Sequence, residues 1–398
     1  VKTTFKARPY RMINRIQHYA WGARGKGAFI PQLLGIEAEP GTPYAELWMG
    51  AHPKAPSSLL IEGEQVDLRD AIAVQPSFFL GEWVAARFDG ALPFLFKVLS
   101  AAESLSIQVH PTKPQAERLH ARDPEHYPDA NHKPEVAVAL TGLTALAGFK
   151  PGDALATTLA AYPEIAAFAE AKVDAAFAPG RIKALYARMS RRAVDEPRTL
   201  AAAVQRLARR LQRLARPLTE IEARFLTLRG RYGDEDVGLF SLFLLNLVHL
   251  ERGEALYTEA GVPHAYLGGD IVECMANSDN VVRAGLTPKY KDVETLVEIL
   301  KPVVDAPLVE GRSQDGEIIY RTPASEFQVS RRTFAEGETW EAPRSGGPEL
   351  YLVTEGVLDT RWGAFERGAS FFVPAALVRL RLVAQAQSEL FRVRVPQS

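Results

Sequence analysis

Ile107-Gln108-Val109-His110-Pro111 is the stretch from which the rest of the chain can be read. Gln108 and His110 stand two residues apart, and side chains at i and i+2 of a strand leave the same face. One short strand therefore offers an amide oxygen and an imidazole to one side, while Ile107 and Val109 alternate toward the other. That alternation is the pattern of a wall between a wet site and an apolar core. Pro111, with no N–H to give, ends the ladder.

Two further stretches extend the pattern. Glu135, in Asn131-His132-Lys133-Pro134-Glu135, opens Val136-Ala137-Val138-Ala139-Leu140, so its carboxylate is expected at the mouth of a neighbouring strand. His264 follows Glu259-Ala260-Gly261-Val262-Pro263, a Gly/Pro turn that returns the chain to a strand at Ala265. A Gln-x-His pair alone is a weak signal, and a His after Gly-x-Pro is often only a turn residue. Three such stretches together are less easily dismissed. Imidazole, carboxylate and amide oxygen suit zinc and its first-row neighbours. One carboxylate against a divalent cation leaves the site net positive and electrophilic toward a substrate oxygen.

The order of these motifs resembles the type I phosphomannose isomerase family of the cupin superfamily. The likeness covers much of residues 14–150 and 250–300. It runs through Gln17-His18-Tyr19-Ala20-Trp21-Gly22, Glu46-Leu47-Trp48-Met49-Gly50-Ala51-His52-Pro53 and Leu92-Pro93-Phe94-Leu95-Phe96-Lys97-Val98-Leu99. It continues in Leu105-Ser106-Ile107-Gln108-Val109-His110-Pro111, Asn131-His132-Lys133-Pro134-Glu135, Gly261-Val262-Pro263-His264-Ala265-Tyr266 and Asn277-Ser278-Asp279-Asn280-Val281-Val282-Arg283-Ala284-Gly285. The resemblance implies one Zn2+ per chain, held by Gln108, His110, Glu135 and His264, with no departure at these positions. It also implies an isomerase that interconverts mannose 6-phosphate and fructose 6-phosphate, with Arg283 as the active-site arginine and Ser106 and Lys289 as the phosphate-contacting pair.

Such a reaction moves one proton between C2 and C1 through an enediol and needs no nicotinamide. It does need charge stabilisation on an oxygen and an anchor for the phosphate. Arg283, Lys97, Lys133 and Lys289 are the basic candidates, and a guanidinium can give two fixed hydrogen bonds to a phosphate or an enediolate. Lys133, two residues from Glu135, falls on the metal-facing side, where a cation would lower its pKa and make it a proton carrier. Glu273 and Asp279 are alternative proton carriers, and the base stays open. Tyr266 is placed to bond a ligand or a sugar hydroxyl, and Trp21, Trp48 and His52 to wall the pocket. Two other readings are an oxygenase built on a cupin metal site and a non-catalytic sugar-phosphate-binding cupin. The first hundred residues carry no glycine-rich strand-loop-helix signature of a nucleotide transferase, so isomerisation alone is expected.

Composition sets the bounds. The chain has 398 residues with 47% hydrophobic content, enough for real cores. Lys+Arg 47 against Asp+Glu 48 gives a net charge of −1, which recruits neither nucleic acid nor membrane. A small-molecule sugar phosphate is the expected partner, and a monomer or weak homodimer the expected state. The single cysteine, Cys274, excludes an intrachain disulfide and reads as a buried strand residue. Val1 to Tyr10 carries Lys2, Lys6 and Arg8 with no apolar run behind them, which points to the cytoplasm. Leu239 to Leu250, broken by Ser241, Asn246 and His249, reads as a buried core helix rather than a span.

The expected fold is mainly β with an α-helical insertion, in two cupin-like β-barrels of jelly-roll type. Residues 1–150 and 251–310 would form a discontinuous catalytic domain, 151–250 a helical domain inserted in the catalytic barrel, and 311–398 a second barrel. That second barrel has no histidine and so no catalytic metal. In the helical zone Leu200, Val204, Leu207, Leu211 and Leu214 step by 4, 3, 4 and 3 along one stripe. Arg206, Arg209, Arg210, Arg213 and Arg216 fall mostly off that stripe, as a solvated face or a phosphate grip. Asp292 to Leu300 reads as a short helix, and Glu349 to Thr354 and Ser370 to Pro374 as apolar strands.

Overall fold

The computed structural model describes residues 5–173 and 176–397. Lys2, part of the N-terminal stretch read above, lies outside the described residues. The spine of the molecule is the 15-residue strand Glu135–Phe149. It pairs antiparallel with Leu245–Leu250, Ala255–Thr258 and His264–Ala276, so chain from both sides of the helical zone meets in one sheet. From there a ten-stranded sheet runs from Leu308–Val309 at one edge, through His264–Ala276, Phe94–Ala101 and Glu46–Gly50, to Arg15–Gln17 at the other. Ile107–Val109 is attached beside it, pairing with His264–Ala276 and with Val282–Gly285. A nine-stranded sheet joins the two ends of the chain, since Tyr10–Ile13 lies between Ser370–Val373 and Ser58–Ile61. Four-stranded and two-stranded sheets complete the β structure.

This corrects the expected pair of barrels. Among the described residues no sheet closes: the edge strands of the ten-stranded sheet have only two and three residues and do not pair with each other. Closure would require edge strands long enough to share a ladder at a consistent stagger. The fold is mixed α/β rather than mainly β, because the zone read as strands also holds the helices Phe29–Leu34, Leu68–Val74, Pro76–Leu80, Glu82–Arg87 and Lys113–Arg122. Local chemistry explains them better than periodicity does. Asp67 accepts from the N–H groups of Arg69 and Asp70 to start one, and the Gln115 side chain returns to the Thr112 N–H at 2.9 Å to start another.

In the helical zone, Pro197–Gln212 buries Leu200, Val204, Leu207 and Leu211 as the stripe requires, with Leu214 packed on the same core beyond its end. Each such leucine contributes roughly 1.5–3 kcal/mol by leaving water. The off-stripe cations are partly structural: Arg210 bridges to Glu164 at 2.7 Å and Arg216 to Glu222 at 2.7 Å. The run from Leu239 is half helix and half strand, Gly238–Leu244 followed by Leu245–Leu250. The helix Val293–Ile299 lies where expected, capped by Asp292. Glu349–Glu355 and Ser370–Val373 are strands. Ile107 and Val109 are fully buried in the core shared with the helices, so the opposite face of their strand is free to be wet. Cys274 is buried in His264–Ala276. Among the described residues no helix is long and apolar enough to cross a membrane.

Candidate metal centre

Register brings the ligand-type residues together. Gln108 sits opposite His264 on one side and Arg283 on the other. Glu135 sits opposite Thr258, whose strand runs into the Glu259-to-Pro263 turn that delivers His264. The result is a buried cluster of His110, Glu135 and His264 whose ligand atoms lie within 4.8 Å of one another. Glu135 Oε2 is 3.5 Å from His110 Nε2 and 3.2 Å from His264 Nε2.

Both imidazoles are oriented from behind. His110 Nδ1 meets the Asn280 carbonyl at 2.9 Å and His264 Nδ1 meets the Val262 carbonyl at 2.9 Å. A carbonyl can only accept, so each Nδ1 carries the proton and each Nε2 is left as a bare lone pair. Those two Nε2 atoms are buried with no hydrogen-bond partner among the described residues. Two buried lone pairs aimed at one carboxylate are costly unless something electropositive sits among them, and a divalent cation of the zinc type fits that donor set. Burial, outweighing the pull of Glu135, brings the His110 imidazole down to about 4, so it stays neutral and ligand-ready at neutral pH. Burial alone would raise the Glu135 carboxyl, but Lys133 and then His110 outweigh it and hold the group well below the usual carboxylate range. Lys133 Nζ lies 3.2 Å from Glu135 Oε1.

The cluster opens on a cavity of about 780 Å³ lined by Gln108, Glu135, Lys133, Ser106, Lys97, Glu273, Tyr266, Arg283, Lys289 and Trp21, among others. Beside the metal ligands, Lys97 Nζ lies 2.9 Å from Glu273 Oε2 and 3.9 Å from Glu46 Oε2. The Tyr266 hydroxyl donates to Glu273 Oε1 at 2.9 Å. Burial would lower the Lys97 amine, yet the two carboxylates hold it well above its ordinary value, so it stays charged. Burial pulls the Arg283 guanidinium down from its ordinary value, though a guanidinium stays protonated throughout the working range. Among the described residues neither Arg283 nor the Lys289 amine has an acidic or hydrogen-bonding partner, leaving two cations free to meet an anion.

Three sequence candidates lie elsewhere, Trp48 among them, which is not part of the cavity lining and donates its indole N–H to Glu46. His52 and Asp279 do not line the cavity: their side chains face each other at 3.6 Å, and Lys54 Nζ sits 2.9 Å from Asp279 Oδ2. The loop is turned that way by Asp129, which accepts from the Asp279 N–H at 2.7 Å and from the Ser278 hydroxyl at 2.9 Å. The same loop aims the Asn280 carbonyl at His110. Asp129 gave no sequence signal, being known only by what it touches across 149 to 151 residues of chain. Sequence reasoning also missed Arg231, Tyr232, Glu235 and Asp236 of the helical zone, which line the cavity together with Lys291.

Two imidazoles and a carboxylate with their open atoms converging below a cation-lined cavity define a mononuclear metal protein shaped for a small anionic molecule. Residues 10–152 match the family model described as phosphomannose isomerase type I, catalytic domain, and the chain is 38% identical over 375 residues to the mannose-6-phosphate isomerase of Ogataea parapolymorpha, 87% of each being covered. The chain belongs to the type I phosphomannose isomerase family. It is 41% identical over 339 residues to the mannose-6-phosphate isomerase of Rattus norvegicus, covering 79% of this chain and 80% of that one. A zinc-bound crystal structure of mannose 6-phosphate isomerase superposes with a TM-score of 0.85 at 34% identity, over 98% of this chain and 100% of that one. A point mutant of phosphomannose isomerase from Salmonella typhimurium gives the same TM-score, identity and coverage.

Proposed function

We propose that this chain is a zinc-dependent aldose-ketose isomerase interconverting mannose 6-phosphate and fructose 6-phosphate. The observation that carries the reading is the pair of open Nε2 atoms beside Glu135, at the floor of a cavity where Arg283 and Lys289 stand without partners. The family's members named above, and the zinc in one of their structures, support the same activity and the same ion.

His110, Glu135 and His264 would hold the ion, with Gln108, two residues before His110, as a fourth ligand. When bound, zinc supplies electrophilic stabilisation of the negative charge that grows on a substrate oxygen, a contribution on the order of several kcal/mol. The chain's own groups do the rest. Ser106 and Lys289 anchor the phosphate, so that binding energy far from the reacting carbons orients C1 and C2. Arg283 donates to the enediolate from the strand opposite Gln108. Of the carriers named from sequence, Lys133 and Glu273 line the cavity and are placed to carry the proton between C2 and C1. Lys97 and Tyr266 fix the Glu273 carboxylate in place, and Trp21 walls the sugar. Asp279, held by Lys54 away from the cavity, is the weakest of the three carriers named from sequence.

The buried Cys274 thiol suits a reducing, cytoplasmic setting. The protein is read as a monomer or weak homodimer, which sedimentation at two concentrations tests. The decisive experiment is a coupled assay for fructose 6-phosphate from mannose 6-phosphate. Turnover that a chelator abolishes and zinc restores is the expected result. Zinc-loaded protein that binds the sugar phosphate without converting it would instead make the chain a binding protein.

A further inference from the structure

Asp236 belongs to the helical zone, two residues before Gly238–Leu244, and is 4% exposed. It spends its carboxylate on the backbone of a distant segment. Oδ1 accepts from the Leu286 N–H at 2.8 Å and the Gly238 N–H at 2.7 Å, and Oδ2 accepts from the Thr287 N–H at 3.1 Å. Lys291 Nζ stands 3.8 Å from Oδ2. The clasped segment is not relaxed. Leu286 has φ 54°, a left-handed conformation rarely taken by a branched side chain. Gly285 lies so close to Gly238 that a Cβ on it would meet the Gly238 Cα at 2.5 Å. This backbone links Arg283 to Lys289, the cavity's two cations without a partner among the described residues.

We propose that Asp236 is a positioning residue for phosphate recognition, fixing the Leu286 and Thr287 backbone so that Lys289 meets the phosphate at a set distance from Arg283, which faces the enediolate. A buried carboxylate holding three N–H donors pins a strained turn that would otherwise relax, and charge-assisted bonds of this kind are the strong ones. The helical zone thereby sets the substrate end of the cavity without itself touching the phosphate. The inference rests on the reading of Arg283 and Lys289 given under the proposed function.

Asp236→Asn keeps the shape but turns an NH2 group toward one of the three donors. Inorganic phosphate titrated into zinc-loaded protein, with KM and kcat for mannose 6-phosphate beside it, reads the effect. The expected result is a phosphate Kd and a KM each raised roughly tenfold, with kcat within about twofold and zinc content unchanged. Combined with Lys289→Ala, the losses in phosphate affinity should fall short of additive, because both act on one contact. Unchanged phosphate affinity, additive losses, or a fall in kcat with KM unmoved overturns the proposal. Should Asp236→Asn fail to fold, amide exchange in the wild type decides: the Leu286 and Thr287 N–H groups should be protected with or without phosphate, and rapid exchange overturns the clasp. Wild type that binds phosphate but does not isomerise defeats the isomerase reading and leaves the clasp standing. Wild type that isomerises while Asp236→Asn binds phosphate normally defeats the clasp alone.

Discussion

Lys97→Met tests whether the buried charges beside the metal ligands hold the site together. Lys97 lies 2.9 Å from Glu273 and 3.9 Å from Glu46, and all three side chains are less than a tenth exposed. Removing one member of a buried ion pair typically costs about 3–5 kcal/mol, because the partner keeps its charge without compensation. Here each carboxylate retains one donor, the Tyr266 hydroxyl for Glu273 at 2.9 Å and the Trp48 indole N–H for Glu46 at 2.5 Å. The loss should therefore fall near the lower end, about 3 kcal/mol. Its measure is the urea midpoint of chelated protein at constant m-value, so that bound zinc does not mask the change. The pH dependence follows from sign. The folded-state value of Lys97 lies above its ordinary 10.5, so its contribution is fully present below that value and is lost only as the pH rises through the folded one. Wild type is thus flat in this respect across neutral pH. Adding Glu273→Gln should recover part of the loss. A cost under about 1 kcal/mol, as for a surface pair, or no recovery in the double variant, would refute the reasoning.

Three further outcomes follow from the same geometry. His264→Ala removes one of the two open imidazole nitrogens and should weaken zinc binding by at least about 100-fold, read by competition with a chromophoric chelator. Arg283→Lys keeps the charge but loses the planar fork, and kcat should fall by about 100-fold with zinc content unchanged; full activity would remove this arginine from the mechanism. The Glu222 carboxyl, drawn down to about 2 chiefly by its hydrogen bonds to Arg216, carries stability that is present above its ordinary 4.5 and lost as the pH falls from there. Glu222→Gln should flatten the thermal stability profile in that acid window, and an unchanged acid limb would count against the pair.

The ligand face was legible because a strand imposes its period of two on whatever residues it holds: Gln108 faces the cavity and Ile107 and Val109 face the core. The stripe from Leu200 to Leu211 was legible for the matching reason in a helix. What failed was whatever depends on contacts remote in sequence or on helices shorter than two turns. Helices of five to seven residues such as Pro76–Leu80 and Leu68–Val74 never repeat their pattern. The continuous apolar run from Leu239 changes from helix to strand at Leu245, where it pairs with the Glu135–Phe149 spine, and hydrophobicity alone does not mark that point. Asp279 shares a motif with Arg283, yet Asp129 turns the loop between them so that one faces Lys54 and the other the cavity. The barrels failed on closure, which is decided by how two edge strands from opposite parts of the chain end, and a run of alternating residues carries no information about that.

The two ends of the cavity are built on different principles, and the chemistry gives a reason. Ligands for a metal must converge within a few tenths of an ångström, and His110, just past Ile107–Val109, and His264, on the strand paired with it, are each held by a ring bonded to a backbone carbonyl. A phosphate with several equivalent oxygens tolerates more latitude, and one of its two proposed contacts, Lys289, hangs on the segment from Arg283 to Lys291, much of it irregular. Latitude without restraint would scatter two long cationic side chains and cost the entropy of gathering them for every substrate bound. A buried carboxylate reaching across from the helical zone limits that scatter at the backbone, where one clasp constrains both side chains. The helices, which contribute none of the four proposed metal ligands, therefore have a place in the reaction through the geometry of the anion site.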